Sequence, residues 1–331
     1  MNIFWQDIVG HAQIIKQLRM AIERDRLPHA LLFCGEEGIG KKSVARVLAA
    51  ALLCDTGEET GQTCGECQNC RLNKAGTHPD YSEICPEGGA TLKSIKIDKI
   101  RRLRQQASSY ATMAKRRVFV VDDAHLMNET AQNALLKTIE EPEGNVNFIF
   151  VTNTPGMLLK TIVSRCISVN FYPLAAEEVE QVLLKLDFSV ADAKNFAAVA
   201  GGSVNRALQF GEAGGMALID DVRQFLINLP TMPLESLLAK SEELAKKPKE
   251  HMRDWLSVAD VFLHDLLLLK AGGEPNVSVD ARRELERVLP SFSKRRLFVL
   301  QSIVADGARR ISANVNLRLF IEGLFIRMSR E

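Results

Sequence analysis

Two kinds of apolar pattern run along the chain, and they change over near Pro173. Before it, short apolar runs alternate with longer stretches at helical spacing. The segments "HALLFC" (29–34), "DYSEIC" (80–85), "RVFVVDDAH" (117–125), "VNFIFVTN" (146–153) and "ISVNFY" (167–172) predict strands. Runs this apolar suit strands covered on both faces. Between them, Ile14, Ile15, Leu18 and Ile22 mark a helix over 11–25. "KSVARVLAAALLC" predicts a second helix, and "IDKIRRLRQQASS" a third with Asp98 as its N-cap. "NETAQNALLKTIEEP" predicts a fourth, begun by Asn128 and stopped by Pro142; "GMLLKTIVSRC" reads as a short helix and loop. Strands alternating with helices imply a parallel α/β sheet with helices on both faces.

Beyond Pro173 only helical periodicity is found. "AAEEVEQVLLKL", "VADAKNFAAVAGG" and "SVNRALQF" make a three-helix set, and "GEAGG" (211–215) reads as a linker. Longer amphipathic helices follow, including "HMRDWLSVADVFLHDLLLLK" and "NVNLRLFIEGLFIRM". The expected organisation is an α/β domain over 1–172, a small helical lid over 173–212 and an all-α collar over 216–331.

Composition narrows the function classes. The chain has 331 residues, of which 46% are hydrophobic, and a net charge of +1. That charge gives no bulk attraction to DNA or to a membrane surface. The first ten residues lack the basic flank and apolar core of a signal peptide, and the greasiest run is broken by His264 and Asp265. A cytoplasmic protein is expected, with no membrane partner. The basic runs "KIRRLRQQ" (Lys99, Arg101, Arg102, Arg104) and "KRR" (Lys115, Arg116, Arg117) read as solvated surface or as contacts to a nucleic-acid backbone.

"GEEGIGKKS" (35–43) is nearly a phosphate-binding loop, placed between a predicted strand and a predicted helix. Gly35, Gly38 and Gly40 allow the tight backbone path, and Lys41 stands where a lysine meets the outer phosphates. Lys42 takes the position of the hydroxyl that ligates magnesium. A flexible lysine is expected to swing away from a metal there. In "VFVVDDAH", Asp122 has the place of a magnesium-holding Walker B acid, and Asp123 that of the Glu that polarises water in hydrolysing enzymes. Asp is one methylene shorter. Two positions needed for hydrolysis are therefore off pattern. The site reads as degenerate, with binding of ATP or ADP left open.

Cys54, Cys64, Cys67 and Cys70 form C-x9-C-x2-C-x2-C. Short C-x2-C spacing lets two thiolates reach one tetrahedral metal, so this 54–70 module is expected to hold structural Zn2+. A redox pair or spare thiols are the alternatives, and Cys85 or His78 could stand in for Cys54. Cys34, Cys85 and Cys166 read as core residues.

Taken together, "DIVGH", "LPHALLFCG", "GIGKK", the four cysteines, "NALLKTIEEP", "TIVSRC" and "GGSVNRAL" cover residues 4–210 in an order that resembles bacterial DNA polymerase III clamp-loader subunits of the AAA+ superfamily. The departures at Lys42 and Asp123 favour its stator-like delta-prime branch over the ATP-hydrolysing gamma/tau motor branch. The resemblance implies an AAA+ P-loop domain, a lid and a collar. It implies a role in loading a sliding clamp onto primed DNA beside gamma/tau and delta subunits. By position, it makes Asn153 the first sensor of the gamma-phosphate, Arg206 the second sensor on the lid, and Arg165 an arginine finger acting on a neighbour's ATP. A self-sufficient motor subunit and a non-catalytic zinc-containing DNA adaptor are the rival readings.

Overall fold

The computed structural model describes residues 3–88, 93–212, 214–275, 279–311 and 316–330. The chain divides into two compact units, Met1–Leu174 and Ala175–Glu331.

The first unit is built on a five-stranded sheet of order β2-β3-β4-β1-β5. Its strands are β1 (Ala30–Cys34), β2 (Tyr81–Ile84), β3 (Arg117–Val121), β4 (Val146–Thr152) and β5 (Ile167–Asn170), all paired in parallel. All five fall within the apolar runs expected to form strands. Side chains alternate between faces along a strand, and in β1, β3 and β4 both sets are buried. Ala30, Leu32, Phe119, Val121, Phe148 and Phe150 enter one core. Leu31, Phe33, Val118, Val120, Ile149 and Val151 enter the other. Burying each large apolar side chain contributes roughly 1.5–3 kcal/mol, so a one-residue register slip would exchange both sets at once.

Helices α1 (Ala12–Glu23) and α2 (Lys41–Leu53) cover the second of these faces, through Leu18, Ile22, Val44, Val47 and Leu48. The cysteine insert holds two short helices, α3 (Gly57–Thr60) and α4 (Gln68–Ala75). Helices α5 (Ile97–Ala107), α6 (Glu129–Glu140) and α7 (Lys160–Val163) cover the opposite face through Ile100, Leu103, Leu135, Ile139 and Ile162. Asn128 caps α6 as expected, accepting from Ala131 N at 2.9 Å. Asp98 is not a cap: α5 starts two residues earlier, after Lys96, and Asp98 pairs with Arg101 at 3.3 Å within the first turn.

The second unit is entirely helical. Helices α8 (Ala176–Leu184), α9 (Val190–Val199) and α10 (Val204–Gly211) pack on one another. Then follow α11 (Gly215–Asn228), α12 (Leu234–Ala245), α13 (Lys249–Ala271), α14 (Val279–Val288), α15 (Lys294–Arg310) and α16 (Leu317–Arg330). Helix α9 also packs on α13, and α10 on α11. A cluster of Phe225, Trp255 and Phe325, with ring centroids 4.4–5.2 Å apart, fills the centre where α11, α13 and α16 meet. Within the expected linker, Ala213 lies outside the described residues, as do Asn314 and Val315 of "NVNLRLFIEGLFIRM". No helix among the described residues is long and apolar enough to cross a membrane.

Candidate functional site

In parallel sheets, ligand sites form beyond the carboxyl ends of the strands. Both sequence motifs emerge there, after β1 and β3, with β4 between them. The chain leaves β1 at Cys34 and turns through Gly35, Gly38 and Gly40, at φ +152°, +77° and +100°. A side chain on Gly35 would meet the Phe171 carbonyl oxygen at 2.6 Å, so only glycine fits. Gly40 caps the thirteen-residue α2, whose N-terminal dipole favours an anion. His11 braces the loop from behind. Its Nε2 donates to Ile39 O at 2.7 Å, and its ring meets Phe171 edge-on.

Lys41 is buried, and its ammonium donates to the loop carbonyls of Gly35, at 2.8 Å, and Glu36. Burial lowers its pKa, against the opposing pull of Asp123 and Asp122.

Lys42 is engaged by two carboxylates. Its Nζ lies 2.8 Å from Asp122 Oδ2 and 3.0 Å from Glu83 Oε1, with the Cys85 sulfur at 3.4 Å. Glu83, near the end of β2, is a hub. Arg46 grips it with two bonds of 2.8 and 2.7 Å, and the Tyr81 hydroxyl donates at 2.7 Å. Burial pushes the Glu83 carboxyl up, but Arg46, Tyr81 and Lys42 outweigh it and hold the group well below the usual carboxylate range. Burial likewise pulls the Lys42 ammonium down, but Asp122 and Glu83 raise it above its ordinary value. Asp123, at φ +47°, has its carboxyl pushed up by burial and by the neighbouring Asp122.

A divalent magnesium ion needs oxygen ligands in near-octahedral order. Position 42 offers an ammonium instead of a hydroxyl, and that ammonium engages the one acid that would help hold the ion. These residues do not fit the metal.

The other expected site residues are placed as follows. Asn153 follows β4, and its Oδ1 accepts from the Thr154 hydroxyl at 2.8 Å; the buried Thr152 beside it meets His125 Nδ1 at 3.3 Å. Arg165 lies just past α7, partly exposed, with Nη2 on Glu140 at 2.9 Å and Nη1 on Thr161 O at 3.1 Å. Arg206, in the second unit, donates its backbone N–H to the Ser203 cap at 3.3 Å and contributes charge beside Asp254 of α13. The first unit thus brings Gly35, Gly38, Gly40, Lys41, Lys42, Asp122 and Asp123 to one end of the sheet, while Arg165 rests on a local acid.

Glu83, Arg46 and Tyr81 were not foreseen. Their signal is in the sequence: Tyr81 and Glu83 alternate onto one face of β2, and Arg46 follows Lys42 by one helical turn.

The ligand atoms of Cys54, Cys64, Cys67 and Cys70 all lie within 4.8 Å of one another. Sulfurs at ~2.3 Å from a tetrahedral zinc are about 3.8 Å apart, and Cys64 and Cys70 stand at 3.9 Å. The backbone N–H groups of Cys64, Cys67 and Cys70 point at the sulfurs of Cys54, Cys64 and Cys67, at 3.3–3.4 Å. Such donors favour thiolate, and the Cys67 and Glu66 amides lower the Cys64 thiol to about 6, whereas burial outweighs the amides at Cys67 and Cys70 and raises both. The donor set fits one closed, four-sulfur metal site. Neither proposed substitute for Cys54 belongs to it. His78 accepts from Asp80 N and donates to Asn69 Oδ1, and Cys85 sits beside Lys42.

Of the basic runs, residues 115–117 are engaged: Lys115 and Arg116 both pair with Glu58 at 2.7 Å, and Arg117 lies 3.5 Å from Asp80.

Residues 10–175 match the family described as "DNA polymerase III, delta subunit". The DNA polymerase III subunit delta' of Pseudomonas aeruginosa is 30% identical, over 90% of this chain and 90% of its own length. The chain belongs to the delta-prime family of DNA polymerase III subunits. The delta' subunit of Bacillus subtilis is 28% identical over 98% of both chains. The tau subunit of Escherichia coli reaches 35%, but over 55% of this chain and 27% of tau. The delta-prime relatives therefore extend through the helical unit, whereas the tau match is confined to about half of the chain.

Proposed function

We propose that this chain is a non-hydrolysing stator of a DNA polymerase III clamp loader. It assembles with gamma/tau-type and delta-type subunits, helps seat a sliding clamp on primed DNA in the cytoplasm, and supplies Arg165 to the ATP site of a neighbouring subunit. The observation that carries the non-hydrolysing half is the 2.8 Å pair between Lys42 and Asp122, which ties up the acid a magnesium ion would need. Asp123 is too short to replace the glutamate that activates water. Gly35, Gly38, Gly40, Lys41 and Asn153 keep the outline of a nucleotide site without its metal, and Arg206 keeps the second-sensor position in sequence. Phe298 and Leu319, 63% and 66% exposed, offer apolar surface on the helical unit for a partner subunit. The same reading divides the chain at 173 and at 212–216 into α/β domain, lid and collar; limited proteolysis with a cut in 211–215 would support the second boundary.

Zn2+ is the metal assigned to Cys54, Cys64, Cys67 and Cys70. It would cross-link the end of α2 to the start of α4. Four thiolates leave no open position for catalysis.

Arg165 tests the trans role. Its guanidinium presents a planar fork of donors suited to the charge that builds on a transferring phosphoryl group, and such fingers are worth about 10³-fold or more. Arg165→Ala removes a partly exposed pair with Glu140 and one exposed bond to Thr161 O, so the chain is expected to fold and assemble normally. In the reconstituted loader, ATP turnover stimulated by clamp and primed DNA falls, because the site served by this subunit stalls. Arg165→Lys restores part of the rate. Unchanged turnover and unchanged clamp loading with the alanine variant would leave this subunit a passive scaffold.

A further inference from the structure

We infer that Lys42 is a resident cation: its ammonium stands in the divalent metal's place and makes the glycine loop blind to metal. The inference rests on reading residues 35–43 as a nucleotide-type loop, and needs neither Arg165 nor any partner. In a metal-using loop, the residue after the lysine and the Walker B acid converge on one ion. Here that residue is Lys42 and that acid is Asp122, and they meet directly at 2.8 Å. What lies between them is a single positive charge that belongs to the chain.

Six further contacts make this a built arrangement rather than a chance surface pair. Glu83 holds the same ammonium from another side at 3.0 Å. Arg46 and Tyr81 fix Glu83 in turn, with bonds of 2.7–2.8 Å to both carboxylate oxygens. The Cys85 sulfur, at 3.4 Å, lies on the ammonium and donates to Glu83. Both carboxylates are largely buried, with side chains 14% and 15% exposed. An incoming divalent ion would have to displace an ammonium held by two carboxylates, and would then lack the hydroxyl ligand. The N-terminus of α2 at Gly40 keeps its dipole for an anion, while the Lys41 ammonium rests on the loop carbonyls of Gly35 and Glu36. The chemical class such a site takes is a polyphosphate without its metal.

The experiment uses the full chain and Mn2+ as a paramagnetic probe in place of Mg2+. Mn2+ binding is read by electron paramagnetic resonance with and without ATP, and ATP affinity is titrated with and without Mn2+. The unmodified chain is expected to show no ATP-dependent Mn2+ signal, and no more than a twofold change of any ATP affinity on adding the ion. Lys42→Thr is expected to gain an ATP-dependent Mn2+ signal and at least a tenfold metal effect on ATP affinity. Adding Asp122→Asn to that variant should abolish the gain. Lys42→Arg keeps the charge and stays metal-blind, which tests the idea even if the threonine variant fails to fold. Metal-coupled ATP binding by the unmodified chain or by Lys42→Arg would overturn the inference. So would a folded Lys42→Thr chain that gains no metal response. Failure of Arg165 in the assembled loader would leave these outcomes untouched, so the two readings fall separately.

Discussion

Asp80 is 2% exposed and sits at the entrance to β2, where one carboxylate organises the loop that leads into β3. Its Oδ1 accepts from Thr112 N at 2.7 Å, and its Oδ2 from Met113 N at 2.7 Å and Ala114 N at 2.9 Å. Arg117 approaches Oδ1 at 3.5 Å. Asp80→Asn keeps the shape and removes half of the acceptors. The amide oxygen can serve Met113 and Ala114, but the NH2 group then faces the Thr112 N–H and the Arg117 guanidinium, donor against donor. A hydrogen bond to a charged group contributes about 1.5–3 kcal/mol and a neutral one about 1. Losing one charged bond and weakening two predicts a loss of about 3–5 kcal/mol at pH 7. The assay is urea unfolding followed by Trp5 fluorescence in a Trp255→Phe background, so that the signal reports the first unit. Burial raises the Asp80 carboxyl, yet the three backbone amides and Arg117 bring it below its ordinary value. Its stabilisation is therefore complete above the unfolded pKa, near 4, and is lost as pH falls through the lower folded value. The gap between the two proteins should narrow below about pH 4. A loss under about 1 kcal/mol at pH 7, or a gap that ignores pH, would refute this account.

Protein purified without chelator should carry about one zinc per chain, as one closed four-sulfur site holds one ion. Cys70→Ser, at the buried corner of the cluster, should lose the metal and lower the melting temperature of the first unit; a metal-free chain of unchanged stability would contradict the site. The isolated chain should hydrolyse no ATP above background, whereas Lys42→Thr with Asp123→Glu tests whether the rest of the site is competent. Robust magnesium-dependent turnover by the unmodified chain would refute the stator reading.

The strands β1, β3 and β4 were legible because each is buried on both faces and so is written as an apolar run, whereas the edge strands β2 and β5 carry polar positions and are only partly covered. Helix α6 was legible from Asn128 and Pro142, which act on their own backbone neighbours. Asp98 misled because an acid in the first turn is favoured by the dipole whether or not it caps. Helices α3 and α4 were missed since "TGEET" and "CQNCRLNKAG" are short and polar; their order comes from packing, α3 on α1 and α2 and α4 on α2, which no local pattern carries. The loop residues and paired acids were found from spacing alone. What Lys42 does was not, because Glu83 is distant in sequence and only strand pairing with β3 brings it alongside Asp122.

The first residues of the chain form a splint along α2. At one end, Ile3 and Phe4 pack against the cysteine cluster, Trp5 Nε1 donates to Gly61 O at 2.8 Å, and Thr63 donates to Ile3 O at 2.8 Å. At the other end, His11 grips the loop at Ile39. The helix between these anchors is thirteen residues long, or about 20 Å at 1.5 Å per residue, within reach of the eight or so residues of the splint. The four thiols and the glycine loop are thus joined by one continuous segment of backbone as well as by α2. Loss of order at the sulfur end would free one anchor of the segment that carries His11, so damage by an oxidant at the cysteines would reach the loop without any reagent touching it.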